Sequence, residues 1–552
     1  MGFGDGGGGT TREMAMRTSI LKDGLPGTPK AVYKTTTEHT AALKKDVDGK
    51  TLPYYKGELY FERHRGTLTS AMRNKKNNRR AEFTLTEVEF LTPFLSALGV
   101  PEESHDKYLE KSWDKVLLNQ FHDIIPGSSI PEVYEVTDKE YAEILNEGGK
   151  ILTDAFARVA EKFGGKHVCF NLSGFTQSGY VTVDGKYRYV ENVPAKGFKT
   201  VEFTPLNGSV KVSEKAIEND FIKVIFNDRF EIENVYDKRA DRYILSAPAA
   251  ICAYEDYPDN YDCWEISRYY REKRYDLTLS SVKDVDLGAK KGKIVTYTLG
   301  KTVIETTVLL SENDEIITFN GKTDMQTDHV LIRAEFPLDI NANKATCDVQ
   351  FGNLERPTTR NNSIEYAQFE VCAHKYADIS DGGYGVSLIN DCKYGHSVLD
   401  NVLSVSLVKY GTFPGKTNDS GVHTYAFELY PHLGDFKSAK TTEKAYLLNQ
   451  PLVLCKGGNA AGAETKEFSF IKCSSNGVVI EAIKQADDKS GCIVRLYENL
   501  NRRETVTLTT FAPFKSAYVC DMLENELTEV KVTGNDIALT LKPFEIITLK
   551  LK

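Results

Sequence analysis

Leu117-Leu118-Asn119-Gln120-Phe121-His122-Asp123-Ile124-Ile125-Pro126-Gly127-Ser128-Ser129 is the stretch in which the local rules change most abruptly. Upstream of it, Leu109, Trp113, Val116 and Leu117 recur at three- and four-residue spacing, the period of a helix with one apolar face, and Ser104 stands where a cap is needed. Pro126-Gly127 cannot continue that helix, so it ends near Phe121-His122-Asp123. Ser129-Ile130-Pro131-Glu132 reads as a new start, with a capping box and a proline inside the first turn. It predicts a helix to about Lys162, interrupted at Gly148-Gly149. On the other side, Thr67 to Leu98 reads as a long helix stopped by Gly99-Val100-Pro101. Packing the three together is the simplest way to bury their apolar stripes, which gives a three-helix domain over residues 51–165.

Beyond this bundle the period becomes two. Phe221-Ile222-Lys223-Val224-Ile225-Phe226, Thr302 to Leu310 and Thr424-Tyr425-Ala426-Phe427-Glu428-Leu429 alternate as strands do, and turn signals such as Gly534-Asn535-Asp536 recur between such runs. Residues 166–552 therefore predict large antiparallel β-sandwich domains without intervening helices. Ahead of the bundle, Thr10 and Thr11 open a helix through Met16, Leu25-Pro26-Gly27-Thr28-Pro29 is a turn cluster, and Thr35 to Lys45 forms a short amphipathic helix. That is too little apolar surface for a core, and residues 1–50 are expected to belong against something larger.

Composition narrows the functions. A net charge of −9 over 552 residues argues against a duplex nucleic-acid partner and suits a neutral substrate. With 29 Tyr and 27 Phe against 2 Trp, the aromatics favour sheet and leave few indole platforms. All ten cysteines follow residue 168, from Cys169 to Cys520, in no CxxC pair, mostly between apolar or β-type neighbours. They read as buried free thiols of a reducing compartment, which gives a cytoplasmic expectation. No run of about 18 apolar residues is present, so no membrane partner is expected. The leader, Met1-Gly2-Phe3-Gly4-Asp5 and four further glycines, has neither a basic region nor an apolar stretch, so no signal peptide is expected, and Gly6 rules out the myristoylation pattern. A phosphate-cradling reading of those glycines fails, because no GK[ST] follows and no strand precedes.

His122 and Asp123 stand side by side where a helix meets a sharp turn. Adjacent residues there project differently, so one can ligate a metal while the other accepts a hydroxyl. The same pair also fits a terminal histidine meeting the helix dipole beside a solvated carboxylate. Gly57-Glu58-Leu59-Tyr60-Phe61-Glu62-Arg63-His64-Arg65-Gly66 through Ser70, followed by Arg73 to Arg79, is densely polar at a helix entry, which suits sugar recognition or simple solvation. These segments resemble the family 38 α-mannosidases. So do Tyr257 to Ile266, Phe351 to Thr358, Glu370 to Asp378, Gly382 to Val386 and Leu429-Tyr430-Pro431-His432, and together they span nearly the whole chain.

The resemblance implies a zinc-dependent retaining glycosidase acting on terminal α-mannosides. In such enzymes one carboxylate attacks the anomeric carbon and a second, about 5–5.5 Å away, protonates the leaving oxygen. By resemblance, His122 matches a histidine ligand of the catalytic Zn2+ and Asp123 the carboxylate that binds mannose hydroxyls. His64 and Arg65 are substrate-binding candidates, and Asp262, Trp264, Arg356 and His374 are candidates to line the cleft. Asp5 is the candidate general acid/base. The family's His-x-Asp zinc pair does not precede Asp5 and is found at none of the ten histidines. The chain is thus expected to hold one zinc ligand, to lack the nucleophile and to be inactive alone, with residues 1–50 a remnant of the catalytic barrel. The expected fold class is α+β and multidomain: remnant of a β/α barrel domain, three-helix bundle, large antiparallel β-sandwiches. The expected partner is an α-mannoside or mannose-containing oligosaccharide, with a homo-oligomer or a separate N-terminal half as possible protein partners. The alternatives are a non-catalytic carbohydrate-binding or scaffold protein, and a subunit that complements that half. The sequons Asn171-Leu172-Ser173 and Asn418-Asp419-Ser420 are short enough to arise by chance.

Overall fold

Two threonines open the first helices. The Thr11 hydroxyl accepts the Met14 N–H at 3.2 Å, and Thr35 and Glu38 close a reciprocal capping box. The computed structural model describes residues 1–552 except 1–3, 5–6, 61–62, 204, 259, 417 and 459–465. It falls into two compact units, residues 1–59 and residues 60–552. The first unit holds α1 (Arg12–Asp23) and α2 (Thr36–Val47), neither of which buries a residue.

The second unit opens with α3 (Met72–Ala97), α4 (Asp106–Asn119) and α5 (Pro131–Phe163). The start of α3 is capped from far along the chain: buried Asp419 accepts the Ala71 and Met72 N–H groups at 2.8 and 3.1 Å. The capping box expected at Ser129 does not form. Ile130 is the N-cap and makes no side-chain bond, while the Ser129 N–H donates to the Tyr134 hydroxyl at 3.1 Å. Nor is α5 interrupted at Gly148-Gly149. A Cβ at Gly148 would lie 2.4 Å from the Tyr108 hydroxyl and 2.5 Å from Thr84 Cγ2, so this glycine is where α5 closes on α4 and α3. The same crossing carries the Tyr108 hydroxyl bond to the Ile144 carbonyl, at 2.7 Å.

From His167 onward strands dominate, giving the α+β, multidomain class. The largest sheet has nine antiparallel strands, in the order 278–286, 290–299, 302–311, 317–325, 421–433, 384–390, 376–380, 344–349 and 352–357. A six-stranded antiparallel sheet built around 250–255, 330–337 and 402–409 packs against it, and side chains from both fill one continuous core. A second core joins Val88, Phe90, Phe94 and Val159 of the helices to Phe170, Phe198 and the two sheets of residues 471–551. Among the described residues two α-helices interrupt the strand region, against expectation: α6 (Ser363–Tyr366), capped by the Asn362 side chain, and α7 (Thr441–Asn449). Both are too short for a helical period to stand out in the sequence.

The interior holds charge as well as hydrocarbon. Fully buried Arg333 donates to Glu370 at 2.6 Å and to the Ser406 and Ser404 hydroxyls at 2.6 and 2.8 Å. Both sequon asparagines are internal. Asn171 donates to the Phe175 and Val193 carbonyls, and Asn418 to the Ser129 carbonyl. Near Arg333 lies His396, whose Nδ1 donates to the Tyr394 carbonyl at 3.2 Å. Burial, together with the charges of Arg333, Arg356 and Arg79, pushes its pKa down to about 3. The folded chain keeps this ring neutral, so below the ordinary 6.5 it is the unfolded chain that binds the extra proton, and stability falls with pH. Relative to His396→Asn, the wild type should therefore lose stability as pH drops from 6.5 toward 3, by up to about 1.4 kcal/mol per pH unit. Urea unfolding of both proteins across that window checks this, and a pH-independent difference would refute it.

Candidate functional site

After α4 ends at Asn119, the chain makes a run of tight turns. Phe121 N–H bonds to the Leu118 carbonyl, Ile124 N–H to that of Phe121, and Gly127 N–H to that of Ile124. His122 and Asp123 emerge from these turns with side chains 77% and 48% exposed. The imidazole lies on the Phe121 ring, 4.3 Å between centroids. Asp123 Oδ1 accepts the Ser128 hydroxyl at 2.9 Å, and Oδ2 lies 3.8 Å from His122 Nε2, too far for a hydrogen bond. One carboxylate oxygen and the outer imidazole nitrogen therefore remain available for a ligand.

The turn is held rigidly from beneath. Lys75 is buried in the first turns of α3, and its three N–H groups go to the carbonyls of Ile125 (2.8 Å), Pro126 (2.9 Å) and Ser70. Burial pushes its ammonium down to about 7, against the pull of Asp419. Asn74 donates to the Ile124 carbonyl at 3.0 Å, and the Tyr134 hydroxyl reaches the carbonyls of Asp123 and Ile124, both at 3.2 Å. Gly127 has φ +94°, and a Cβ there would fall 2.3 Å from the Ser70 carbonyl oxygen. The polar run Arg73 to Arg79 is thus no solvated helix entry: Asn74, Lys75, Asn78 and Arg79 are buried.

The remaining candidates are placed as follows. Asp5 lies outside the described residues. His64 is exposed, with φ +71°, and donates its N–H to Glu265 at 3.0 Å. Its segment meets the His122 turn through Ser70, so the two sequence motifs are neighbours in space. Arg65 instead points inward. Its guanidinium donates to the Ala367 carbonyl at 3.0 and 2.6 Å and to that of Arg63, between the rings of Tyr60 and Phe369. Asp262 is buried, accepting the N–H groups of Thr412 and Phe413 at 2.6 and 2.7 Å, and Arg356 donates to the Cys372 carbonyl at 2.7 Å. Trp264 is half-buried in an aromatic cluster with Tyr261 and Phe413. His374 lines a separate cavity together with Tyr394. Sequence reasoning did not find Lys75 and Asp419, whose only signal was a basic residue in a polar run and an aspartate in a loop.

Zinc takes three or four ligands at about 2.0–2.3 Å. Among the described residues no cluster of three or more His, Cys, Asp and Glu side chains is arranged to hold a metal ion, and His122 with Asp123 supplies at most two donors. The described residues do not build a zinc site. No described helix is long and apolar enough to cross a membrane.

Three family models match the chain: "Alpha mannosidase middle domain" over residues 62–159, "Glycosyl hydrolases family 38 C-terminal domain" over 217–417, and "Glycosyl hydrolases family 38 C-terminal beta sandwich domain" over 477–549. Among curated proteins, human "Alpha-mannosidase 2C1" is 29% identical, the match covering 100% of this chain and 55% of the human protein. "Alpha-mannosidase G" of Dictyostelium discoideum is 27% identical, covering 100% and 57%. This chain therefore spans about half the length of the curated relatives it matches. Among solved structures, an α-mannosidase from Enterococcus faecalis V583 superposes with a TM-score of 0.78 at 14% identity, over 98% of this chain and 74% of that one, which is a likeness of fold.

The Gly127 packing is testable by substitution. Gly127→Ala places a methyl against a backbone carbonyl in left-handed backbone, and should destabilise the second unit by about 3 kcal/mol. Gly149→Ala, with nothing within 4 Å of its added Cβ, should be neutral or stabilising. Urea unfolding compares the two, and equal effects would show that Gly127 is not a packing constraint.

Proposed function

We infer, from the premise that this chain belongs to glycosyl hydrolase family 38 and carries its middle and C-terminal domains, that it serves the hydrolysis of terminal α-mannosides. The observation that carries this reading is the exposed His122–Asp123 pair on a turn braced by Lys75, Asn74, Tyr134 and Gly127. A sugar site needs acceptors fixed before the ligand arrives, because ordering them on binding costs affinity. In the proposed role, Asp123 Oδ2 accepts a mannose hydroxyl while Ser128 fixes the carboxylate through Oδ1. His122 would be one ligand to a zinc ion that, when bound, holds sugar hydroxyls, its other ligands not being among the described residues. His64, exposed beside the same turn, is a further sugar contact in this reading, whereas Arg65 supports the loop at Ala367.

A retaining mechanism needs two carboxylates facing the anomeric carbon. Asp123 is assigned binding and not attack, since half of its carboxylate is held by Ser128. Asp5 remains the proposed acid/base by resemblance. Leu117, Leu118, Phe121 and Ile130 are exposed around the pair, and such an apolar border favours a reading in which a further polypeptide completes the site. The ten free cysteines support a reducing, cytoplasmic location.

Elemental analysis and an aryl α-mannoside assay with added Zn2+ on the 552-residue chain test these assignments together. The expected result is no stoichiometric zinc and no turnover, with mannose affinity weakened at least about tenfold by Asp123→Asn. Zinc and turnover in the isolated chain would overturn the incomplete-site reading. Mannose binding indifferent to both Asp123→Asn and metal would favour a non-catalytic carbohydrate-binding protein.

A further inference from the structure

Behind the His122 turn, between α3, the turn itself and the β region, lies a cavity of about 630 Å3 that neither His122 nor Asp123 lines. That is the size range of sites that enclose a small organic molecule. Its chemistry follows from which of its groups already have partners. The cations are committed: Lys75 to three carbonyls, Lys375 to Asp348 at 3.1 Å, and Arg79 to the Tyr394 hydroxyl, Asn449 and the His374 carbonyl. Two carboxylates are only half used. Glu82 accepts from Asn78 and Gln120 through Oε1 alone, and Glu481 accepts from the Tyr446 hydroxyl through Oε2 alone. Each keeps one carboxylate oxygen without a partner among the described residues.

The His374 ring, set edge-on to Tyr394 at 5.0 Å, makes no hydrogen bond within the described residues. Burial and the flanking Arg79, Lys375 and Arg356 hold its pKa well below the ordinary value. A neutral imidazole offers one donor and one acceptor. The same cavity has an aromatic face, where Phe351 meets Tyr497 edge to face at 5.3 Å. The lining cations are already held by carbonyls, hydroxyls, amides or Asp348, while Glu82 and Glu481 form no ion pair among the described residues, so an anion entering the cavity would be desolvated beside two carboxylates without a free counter-charge. Two open carboxylate oxygens, a neutral donor–acceptor ring and an aromatic wall instead match a molecule with many hydroxyls and one apolar face.

We propose that this cavity is a second binding site, separate from the His122–Asp123 turn, for a neutral saccharide of one or two rings. Occupancy there would reach the turn directly, because Gln120, Ile125 and Pro126 belong to both.

Titration calorimetry of the 552-residue chain with methyl α-mannoside and maltose tests the proposal, with inorganic phosphate and ethanolamine as charged controls. Saturable binding of at least one sugar is expected, weakened at least about tenfold by Glu481→Gln. That change preserves shape and an acceptor for Tyr446. Phe351→Ala, at a partly exposed ring, should weaken it as well without touching the charges. Asp123→Asn, whatever it removes at the turn, should leave the Glu481-dependent component of the binding unchanged. Absence of sugar binding, or binding of phosphate or ethanolamine that depends on Glu481 and Phe351, overturns the proposal. Sugar binding abolished by Asp123→Asn but indifferent to both cavity variants also overturns it, while leaving the reading of the turn intact.

Discussion

The polar face of α3, buried instead of solvated, is the constraint on which the rest of the second unit depends. Lys75 and Arg79 lie one helical turn apart and point into the protein, where an unpartnered charge would cost several kcal/mol. Their partners are consequently obligatory. Lys75 requires three carbonyls converging on one point, and the chain supplies them from Ser70 and from Ile125 and Pro126. Arg79 requires acceptors from the β region, and finds them at Tyr394, Asn390, Asn449 and His374. Hydrogen bonds to charged donors contribute about 1.5–3 kcal/mol each, so two side chains tie the helices, the turn and the sheets into one body. Asp419 completes the arrangement by capping the same helix from the loop before strand 421–433.

The consequence for the turn is geometric. With Ile124, Ile125 and Pro126 fixed by their carbonyls and Gly127 pressed on Ser70, residues 122 and 123 have little freedom in where they leave the surface. His122 rests on an exposed Phe121 and Asp123 on Ser128. Nothing in folding alone asks for a histidine and two leucines in solvent beside so well-supported a backbone. Free energy is committed beneath the turn, and it holds the polar groups on top of it in place.

Helix positions and the change to strand were legible because periodicity is a repeated signal. Val116 and Leu109 announce a helix, and Ile222, Val224 and Phe226 a half-buried strand, whatever their distant partners are. Gly148 illustrates where this runs out. Read locally it weakens α5, yet its meaning lies in Tyr108 and Thr84, which reach it only in the folded chain. The same holds for the site. The motif singled out His122 and Asp123, whose side chains are exposed, whereas Arg65 carried the same motif signal and turned inward to Ala367. Sequence cannot separate an arginine that meets a ligand from one that meets a carbonyl 302 residues away. Lys75 was less visible still, because a lysine in a polar run is ordinarily solvated.

The turn and the cavity behind it are therefore two faces of one construction. Gln120 donates to Glu82 at 2.7 Å on the cavity side, two residues before His122 on the outer side, and Lys75 sits between them. The wall between them is built from carbonyls that are already fixed, so cavity and turn share their hydrogen-bond partners. Gln120 and Glu82 are paired on the cavity side, and Ile125 and Pro126 are held by Lys75 between that pair and the surface turn. This arrangement arises because one face of α3 satisfies its own buried polar groups with the backbone of the surface turn above them.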